Sequence, residues 1–402
     1  MGVSALAAVA VLRAMAADVL LVSAEAEAVR AAVALAPRRA LCQVALAEIA
    51  AGEGGDPRAH LRQAAKLSPR DAEIRVRLGL EEEMAGDIEA AERQLLAAAS
   101  ASRKYYPRWS LLNFYYRRGD AASVWKWAKL ALETSYLDPG PIFGLCWQLQ
   151  PDPAVLLERA MPERRAVLLD FTGFLLEQRQ WMAAGQLAAR LSASVSRRES
   201  DRFLGYASRL LEAEYVAQAL PVWNALCARG LLPYPALDPE TGPFLTNGDF
   251  RAKLTNQGFD WISRAPPGVT VAQAGPARLR LVLDGGQPER CELLRQYVPV
   301  AGGRRYRLTY RYSVSGSPMS AAPRSTGIRW EVAAARATAS VLSAPLAPEG
   351  TGGREFEFDV PAGAAGVRLA LVHQREPGSV RMEGTVELEE VKLGVFDFTQ
   401  AR

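Results

Sequence analysis

Side chains able to carry out chemistry are sparse in this sequence. It has two histidines, His60 and His373. Neither has a second histidine at ligand spacing, so no zinc site is expected. The four cysteines, Cys42, Cys146, Cys227 and Cys291, lie far apart and form no C-x-x-C pair. Three fall in helical patterns where a small apolar residue fits, so they read as inert core thiols rather than a disulfide framework. The sequence contains no G-x-S-x-G, no phosphate-binding glycine loop ahead of a lysine and no dinucleotide fingerprint. Glu81-Glu82-Glu83 reads as a solvated helix face. Spacing along the chain does not decide whether two carboxylates meet as a glycosidase pair. These observations point to a binding protein and not an enzyme, with no cofactor and no metal.

The polar residues that do form a pattern are arginines on two alternating segments. Over 304–314, Tyr306, Leu308, Tyr310 and Tyr312 share one face, and Arg305, Arg307, Thr309, Arg311 and Ser313 share the other. Over 327–334, Ile328, Trp330 and Val332 oppose Arg329 and Glu331. Strand alternation sends the aromatic sides inward and leaves Arg307, Arg311, Arg329 and Glu331 on an outward sheet surface. That surface is either a solvated face or a polar platform. Planar, bidentate arginine donors would suit an oxygen-rich or anionic glycan.

Bulk properties narrow the class further. The 402 residues suffice for two substantial cores. Net charge is only +4, from 48 basic and 44 acidic residues interleaved along the chain. A nucleic-acid partner, which needs basic residues clustered on one face, is therefore not expected. Only six of the basic residues are lysines, and alanine and glycine are abundant. That bias reads as GC-rich bacterial codon usage. Residues 3–22 are long enough to span a bilayer, but Arg13 lies mid-run and Asp18 nearby. Each costs roughly 2.5–3.5 kcal/mol at a membrane centre, while each Val or Leu returns about 0.3–0.6. Residues 1–22 therefore read as a first helix, with an anchor or export signal as the alternative.

From residue 23 to 229 the chain is Ala- and Leu-rich with helical spacing. Gly86-Asp87 returns 33 residues later as Gly119-Asp120, and Leu67-Ser68-Pro69 echoes Leu35-Ala36-Pro37 at a spacing of 32. A period in the low thirties made of two helices is a solenoid signature. The spacing predicts that Gly86 ends one helix in a left-handed conformation and that Asp87 caps the next. Small residues at Gly79, Ala91 and Ala98 are expected where helices approach closely. The unit from Asp71 to Arg103, with Leu78-Gly79, Gly86-Asp87, Ala91, Leu95 and Ala98, resembles the tetratricopeptide repeat. The preceding unit keeps Leu61, Ala64 and Pro69. The following one keeps Leu111, Tyr115, Gly119 and Ala131, with Val124 where a small residue is usual. The match is degenerate beyond about Thr134, where six further helices are expected between Pro139 and Arg229. The resemblance implies a concave surface that binds a protein partner. Tyr105, Tyr106, Trp109, Phe114, Tyr115, Tyr116, Trp125 and Trp127 suggest a peptide groove, although Trp109, Leu112, Tyr116 and Trp125 share a face and read as core.

Residues 230–245 form a connector studded with Pro233, Pro235, Pro239 and Pro243. Beyond it the helical period vanishes, and eight alternating segments separated by turns predict an antiparallel β-sandwich over 246–402. Asn247-Gly248-Asp249-Phe250, Gly258-Phe259-Asp260-Trp261, Gln296-x-Val298, Gly303-x-x-Tyr306-x-Leu308 and Glu389-Glu390-Val391-x-Leu393 stand at the start, middle and end of this region. Together they resemble the jelly-roll carbohydrate-binding modules of the galactose-binding-like class. Arg251 stands where that family commonly places a glutamate of a structural calcium site. Glu389 and Glu390 could still offer oxygens to a hard cation, but the loss of one acidic ligand argues against calcium.

The fold class expected is thus a multidomain α-then-β chain, a TPR-like α-solenoid followed by a jelly-roll sandwich. Its implied role is a bacterial cell-envelope scaffold in exopolysaccharide assembly or export. In that role the repeats hold a protein and the sandwich engages glycan. A protein-protein adaptor with no glycan ligand is the alternative role, and an enzyme with an unrecognised site is the third; the cytoplasm is the alternative compartment.

Overall fold

The computed structural model describes residues 2–23, 25–316, 325–347, 351–378 and 381–396. Among them the chain forms fourteen α-helices followed by ten β-strands. The helices are α1 (Gly2–Val22), α2 (Ala26–Leu35), α3 (Ala40–Gly52), α4 (Arg58–Leu67), α5 (Ala72–Met84), α6 (Ile88–Ala101) and α7 (Tyr105–Arg118). They continue with α8 (Ala121–Thr134), α9 (Gly140–Leu149), α10 (Pro153–Arg159), α11 (Arg165–Glu177), α12 (Trp181–Ser192), α13 (Ser200–Glu212) and α14 (Val216–Ala228). Six helices do follow Pro139, as the sequence predicts.

The chain divides into two compact units, residues 1–171 and 172–402, and the division falls within α11. In the first unit neighbouring helices pack as hairpins, α3 with α4, α5 with α6 and α7 with α8. The start and stop signals act as read. Gly86 has φ +86° and Gly119 φ +70°, both left-handed, which glycine adopts without steric cost. Asp87 accepts from the Ala90 N–H at 3.0 Å and Asp120 from the Ser123 N–H at 3.1 Å, so free amides at the starts of α6 and α8 are satisfied. A Cβ on Gly79 would lie 2.8 Å from Leu95 Cγ, so α5 and α6 approach closely because no side chain stands there. Among the described residues no helix is long and apolar enough to cross a membrane. Asp18 on α1 is instead paired with Arg39 at 2.5 Å.

The second unit contains α12–α14 and an antiparallel sandwich. Its strands are β1 (Ile262–Ser263), β2 (Val269–Gln273), β3 (Leu279–Asp284), β4 (Arg290–Pro299) and β5 (Arg305–Ser315). These are followed by β6 (Ile328–Ala334), β7 (Ser340–Leu342), β8 (Thr351–Asp359), β9 (Gly366–Gln374) and β10 (Glu383–Val395). One sheet has the order β1-β4-β9-β6-β7 and the other β2-β3-β10-β5-β8. Inward residues alternate as predicted: Tyr306, Leu308, Tyr310, Tyr312 and Val314 of β5 are all buried. Trp330 packs at the centre, 6.1 Å from the Trp261 ring and 5.8 Å from that of Tyr310.

The sequence reading separates helix from sandwich at the connector, but the compact units part earlier, and the connector is itself packed. Tyr234 stacks on Trp223 of α14 at 5.9 Å. Asn224 holds Leu237 through both its backbone groups, at 2.8 and 2.9 Å. Tyr234 also donates its hydroxyl to Asp260 at 3.0 Å. Asp260 is fully buried and accepts further bonds from the Thr255 and Trp261 amides. Burial pushes its carboxyl above the ordinary value, and the hydrogen bonds oppose that shift. Gly258 has φ +61°, and a Cβ there would meet the Trp223 ring at 2.4 Å.

Candidate functional site

Helices α3, α5 and α7 are the first members of successive hairpins, and residues three and four apart on each share a face. Together with α4 they enclose a recess of about 680 Å³. Its floor includes Val44, Ala47, Leu61 and Leu80, and Met84 stands at it 73% exposed. An unbranched, polarizable thioether repacks readily against varied apolar surfaces. The rim is charged but compensated. Arg77 meets Glu48 at 2.5 Å, and Glu83 takes Arg117 at 2.6 Å and Arg118 at 3.4 Å. Burial pushes the Glu83 carboxyl up, yet the two guanidiniums outweigh it and hold it below its ordinary value. The acidic run expected to be a solvated face is therefore largely engaged. Glu82 is 2% exposed and held by Arg62 of α4 at 2.7 Å, because its side of α5 packs against α4.

The aromatic cluster divides between core and surface. Leu112, Phe114, Tyr115, Trp125 and Trp127 are buried. Trp109 and Tyr116, expected in the core, are only half-buried, and Tyr106 is 44% exposed.

In the second unit the four candidate glycan residues do not form one surface. Arg307 and Arg311 lie on β5, while Arg329 and Glu331 lie on β6 of the other sheet. Both pairs point away from the sandwich core, from opposite layers. Alternation sorts residues into inward and outward, but it does not say which sheet a strand joins. Glu331 is moreover only 5% exposed and paired with Arg290 at 3.1 Å, and Arg329 meets Glu376 at 3.4 Å. The outward side of that sheet also meets α14: a Cβ on Gly366 at the start of β9 would run into Val216 at 2.6 Å.

The outward face of β3, β10, β5 and β8 is a ladder of ion pairs. Arg305 meets Asp359 at 2.8 Å, Arg307 meets Glu357 at 3.0 Å, Arg311 meets Glu390 at 3.4 Å and Arg280 meets Glu387 at 2.8 Å. Hydrogen bonding to Arg305 holds the Asp359 carboxyl below its ordinary value, and Lys392 does the same to Glu390. Arg307 also lies over the Phe396 ring at 4.6 Å. Each of these guanidiniums thus has an acid beside it, and the face offers donors and acceptors side by side.

No other constellation rises above these. Among the described residues no group of three His, Cys, Asp or Glu could hold a metal ion. All four cysteines are free, and burial pushes the Cys146 thiol up to about 12 and that of Cys227 to about 11, as inert thiols require. The signal for the repeat groove was present in the sequence as Arg77, Leu80, Glu81 and Met84, spaced to share one face of α5. What the sequence did not show is that their neighbours on α3 and α7 leave that face open.

No family model matches the chain, and no curated protein matches it. Solved structures do resemble it. A CBM4 carbohydrate-binding module is similar at 11% identity and a TM-score of 0.27, over 38% of this chain and 99% of its own. A CBM61 module solved in complex with β-1,4-galactotriose is similar at 16% identity and a TM-score of 0.26, over 38% of this chain and 98% of its own. PilF of Pseudomonas aeruginosa is similar at 17% identity and a TM-score of 0.27, over 55% of this chain and 94% of its own. Nothing about ligands or partners follows from likenesses at this level. The architecture itself is a TPR-like run of helices followed by an antiparallel jelly-roll sandwich.

Proposed function

We propose that this chain is a non-catalytic binding protein whose repeats hold a protein partner in the groove of α3, α5 and α7 and whose sandwich engages a glycan. The observation that carries the reading is the 680 Å³ apolar recess with Met84 73% exposed inside a compensated charged rim. An open apolar patch with a polar rim is the form of a protein-docking site. Met84→Glu should abolish capture of the partner by the full chain without unfolding it. Unchanged capture would move the partner site elsewhere.

For the sandwich, the ladder of paired charges on β3, β10, β5 and β8 favours a neutral, hydroxyl-rich ligand over an anionic one. The arginines are already neutralised, so an acidic polysaccharide would have to displace their carboxylates. Titration calorimetry of residues 172–402 against neutral and acidic glycans, at low and high salt, tests this. Binding to neutral glycans that ignores salt supports it. Binding only to acidic glycans, weakening as salt rises, would overturn the neutral preference. No glycan binding at all would leave the adaptor reading. The reading extends to a bacterial cell-envelope setting in exopolysaccharide assembly, which fractionation of cells expressing the tagged full chain would test.

A further inference from the structure

Helix α1 packs with one side and leaves the other bare. Ala17 is fully buried with Ala32 of α2 and Cys42 of α3, and Leu20 and Leu21 pack against them. On the opposite side Leu12 is 64% exposed, Met15 60%, Val19 73% and Val22 86%. Val9 and Val11 are exposed as well. A helix that is apolar on every side is normally buried on every side, and adjacent exposed apolar side chains mark an interaction surface.

We infer that this face pairs two copies of the chain, α1 against α1. Spacing identifies the occupant as a helix. Leu12, Met15, Val19 and Val22 follow one another at intervals of three, four and three, the a and d rhythm of a coiled-coil seam. With Leu12 at a, Met15 falls at d, Val19 at a and Val22 at d, while Val9 and Val11 take the flanking e and g positions. Outside the seam, at b, c and f of the same turns, stand Arg13, Ala14 and Ala10. The bulky apolar side chains exposed on α1 are thus confined to the width that one neighbouring helix covers. A bilayer asks for another pattern. A spanning helix carries apolar bulk around its whole circumference, and a helix lying at the lipid surface lines its polar face with Lys and Arg. The one basic residue of α1 is Arg13, and it has no aromatic residue.

Charge points to a copy of the same chain. Arg13 and Asp18 are the charged residues of α1. Asp18, at the g flank, is already held by Arg39 at 2.5 Å, and Arg13 lies outside the seam. Two copies therefore meet through uncharged side chains with no like charges opposed. The same patch on both subunits makes the contact isologous, so a two-fold axis closes it at the dimer.

Analytical ultracentrifugation of the full chain over a dilution series should show a reversible monomer–dimer equilibrium. Val19→Glu sets a carboxylate in the seam and should weaken dimerisation at least about tenfold. Met15→Glu should do the same. Both sites are exposed enough in the single chain to spare the fold, which circular dichroism melts would verify. Ala10→Glu, outside the seam, should leave the equilibrium unchanged. A chain that is monomeric at every concentration would overturn the proposal, as would a dimer indifferent to Val19→Glu and Met15→Glu, or one that Ala10→Glu disrupts equally. So would a monomeric chain that co-sediments with vesicles of phosphatidylcholine and phosphatidylserine and loses that binding in Val19→Glu, which would make lipid the occupant.

Discussion

Two glycines of the same repeat are constrained for different reasons, and substitution separates them. Gly86 sits at φ +86° with nothing within 4 Å of a Cβ, whereas the Cβ of an alanine at 79 would meet Leu95 Cγ at 2.8 Å and Ala91 O at 3.2 Å. Gly86→Val should therefore cost about 1–3 kcal/mol through the backbone alone. Gly79→Ala should cost a similar ~1–3 kcal/mol by forcing α5 and α6 apart. Thermal melts of the full chain check both. An unchanged midpoint for Gly86→Val would remove it as a helix stop. His373 supplies a pH test at the same scale. It is 1% exposed, and burial pulls its pKa below 6.5, with Arg375 and Arg381 adding to the shift and Pro288 O and Glu289 opposing it. The neutral ring contributes stability that is full above the unfolded pKa and is lost as pH falls through the folded one. The sandwich should thus weaken as pH drops from about 6.5. His373→Gln should flatten that part of the melting-temperature profile, and an unaltered slope would place the acid sensitivity on other groups.

At the scale of elements, the connector decides what counts as a domain. Its prolines resemble those of a free linker, yet Trp223, buried at 0% exposure, stacks on Tyr234 and packs edge-on to Phe259 at 5.8 Å. A fragment of residues 172–402 should unfold in a single cooperative transition, and a fragment of residues 244–402 should melt at a lower temperature. Trp223→Ala, which empties a large buried volume, should destabilise the longer fragment by about 3–5 kcal/mol. Rapid cleavage of the native chain between 230 and 245 would contradict this packing, since a segment held by both backbone and ring contacts does not open readily to a protease.

At the scale of the molecule, the two compact units divide the proposed roles between them. Residues 1–171 contain the groove of the repeats, and residues 172–402 contain the charged ladder. Capture of the protein partner should therefore survive in a chain carrying Arg311→Glu, and glycan binding should survive in one carrying Met84→Glu. Arg311→Glu would set a carboxylate beside Glu390, now 3.4 Å from the guanidinium. It should lower glycan affinity while moving the melting temperature little, because exposed pairs contribute only about 0–1 kcal/mol. Side-by-side pull-down and calorimetry on the two variants would show whether either substitution disturbs both activities.

The local code was legible because it acts within a turn or two. Gly86-Asp87 fixes a helix stop and start whatever surrounds it, and the alternation of 304–314 fixes which side of β5 is buried. From such signals the sequence by itself determined the change from helix pairs to strands, six helices after Pro139 and the eight segments that form β3–β10. It did not mark β1 and β2, which are short or only partly buried and lack a strong period. Tertiary structure decided everything that depends on partners distant in sequence. Arg307 and Arg329 read alike as outward residues, but they were separated when β5 paired with β8 and β10 while β6 paired with β7 and β9. Glu82 read as solvated until Arg62, twenty residues away, closed on it. Pro233–Pro243 read as a connector, and only the fold shows Trp223 and Asp260 holding Tyr234 within it. Periodicity reports the environment that one element needs. Which element supplies it is settled only when the faces meet, because burial and charge pairing are properties of two surfaces and not of one.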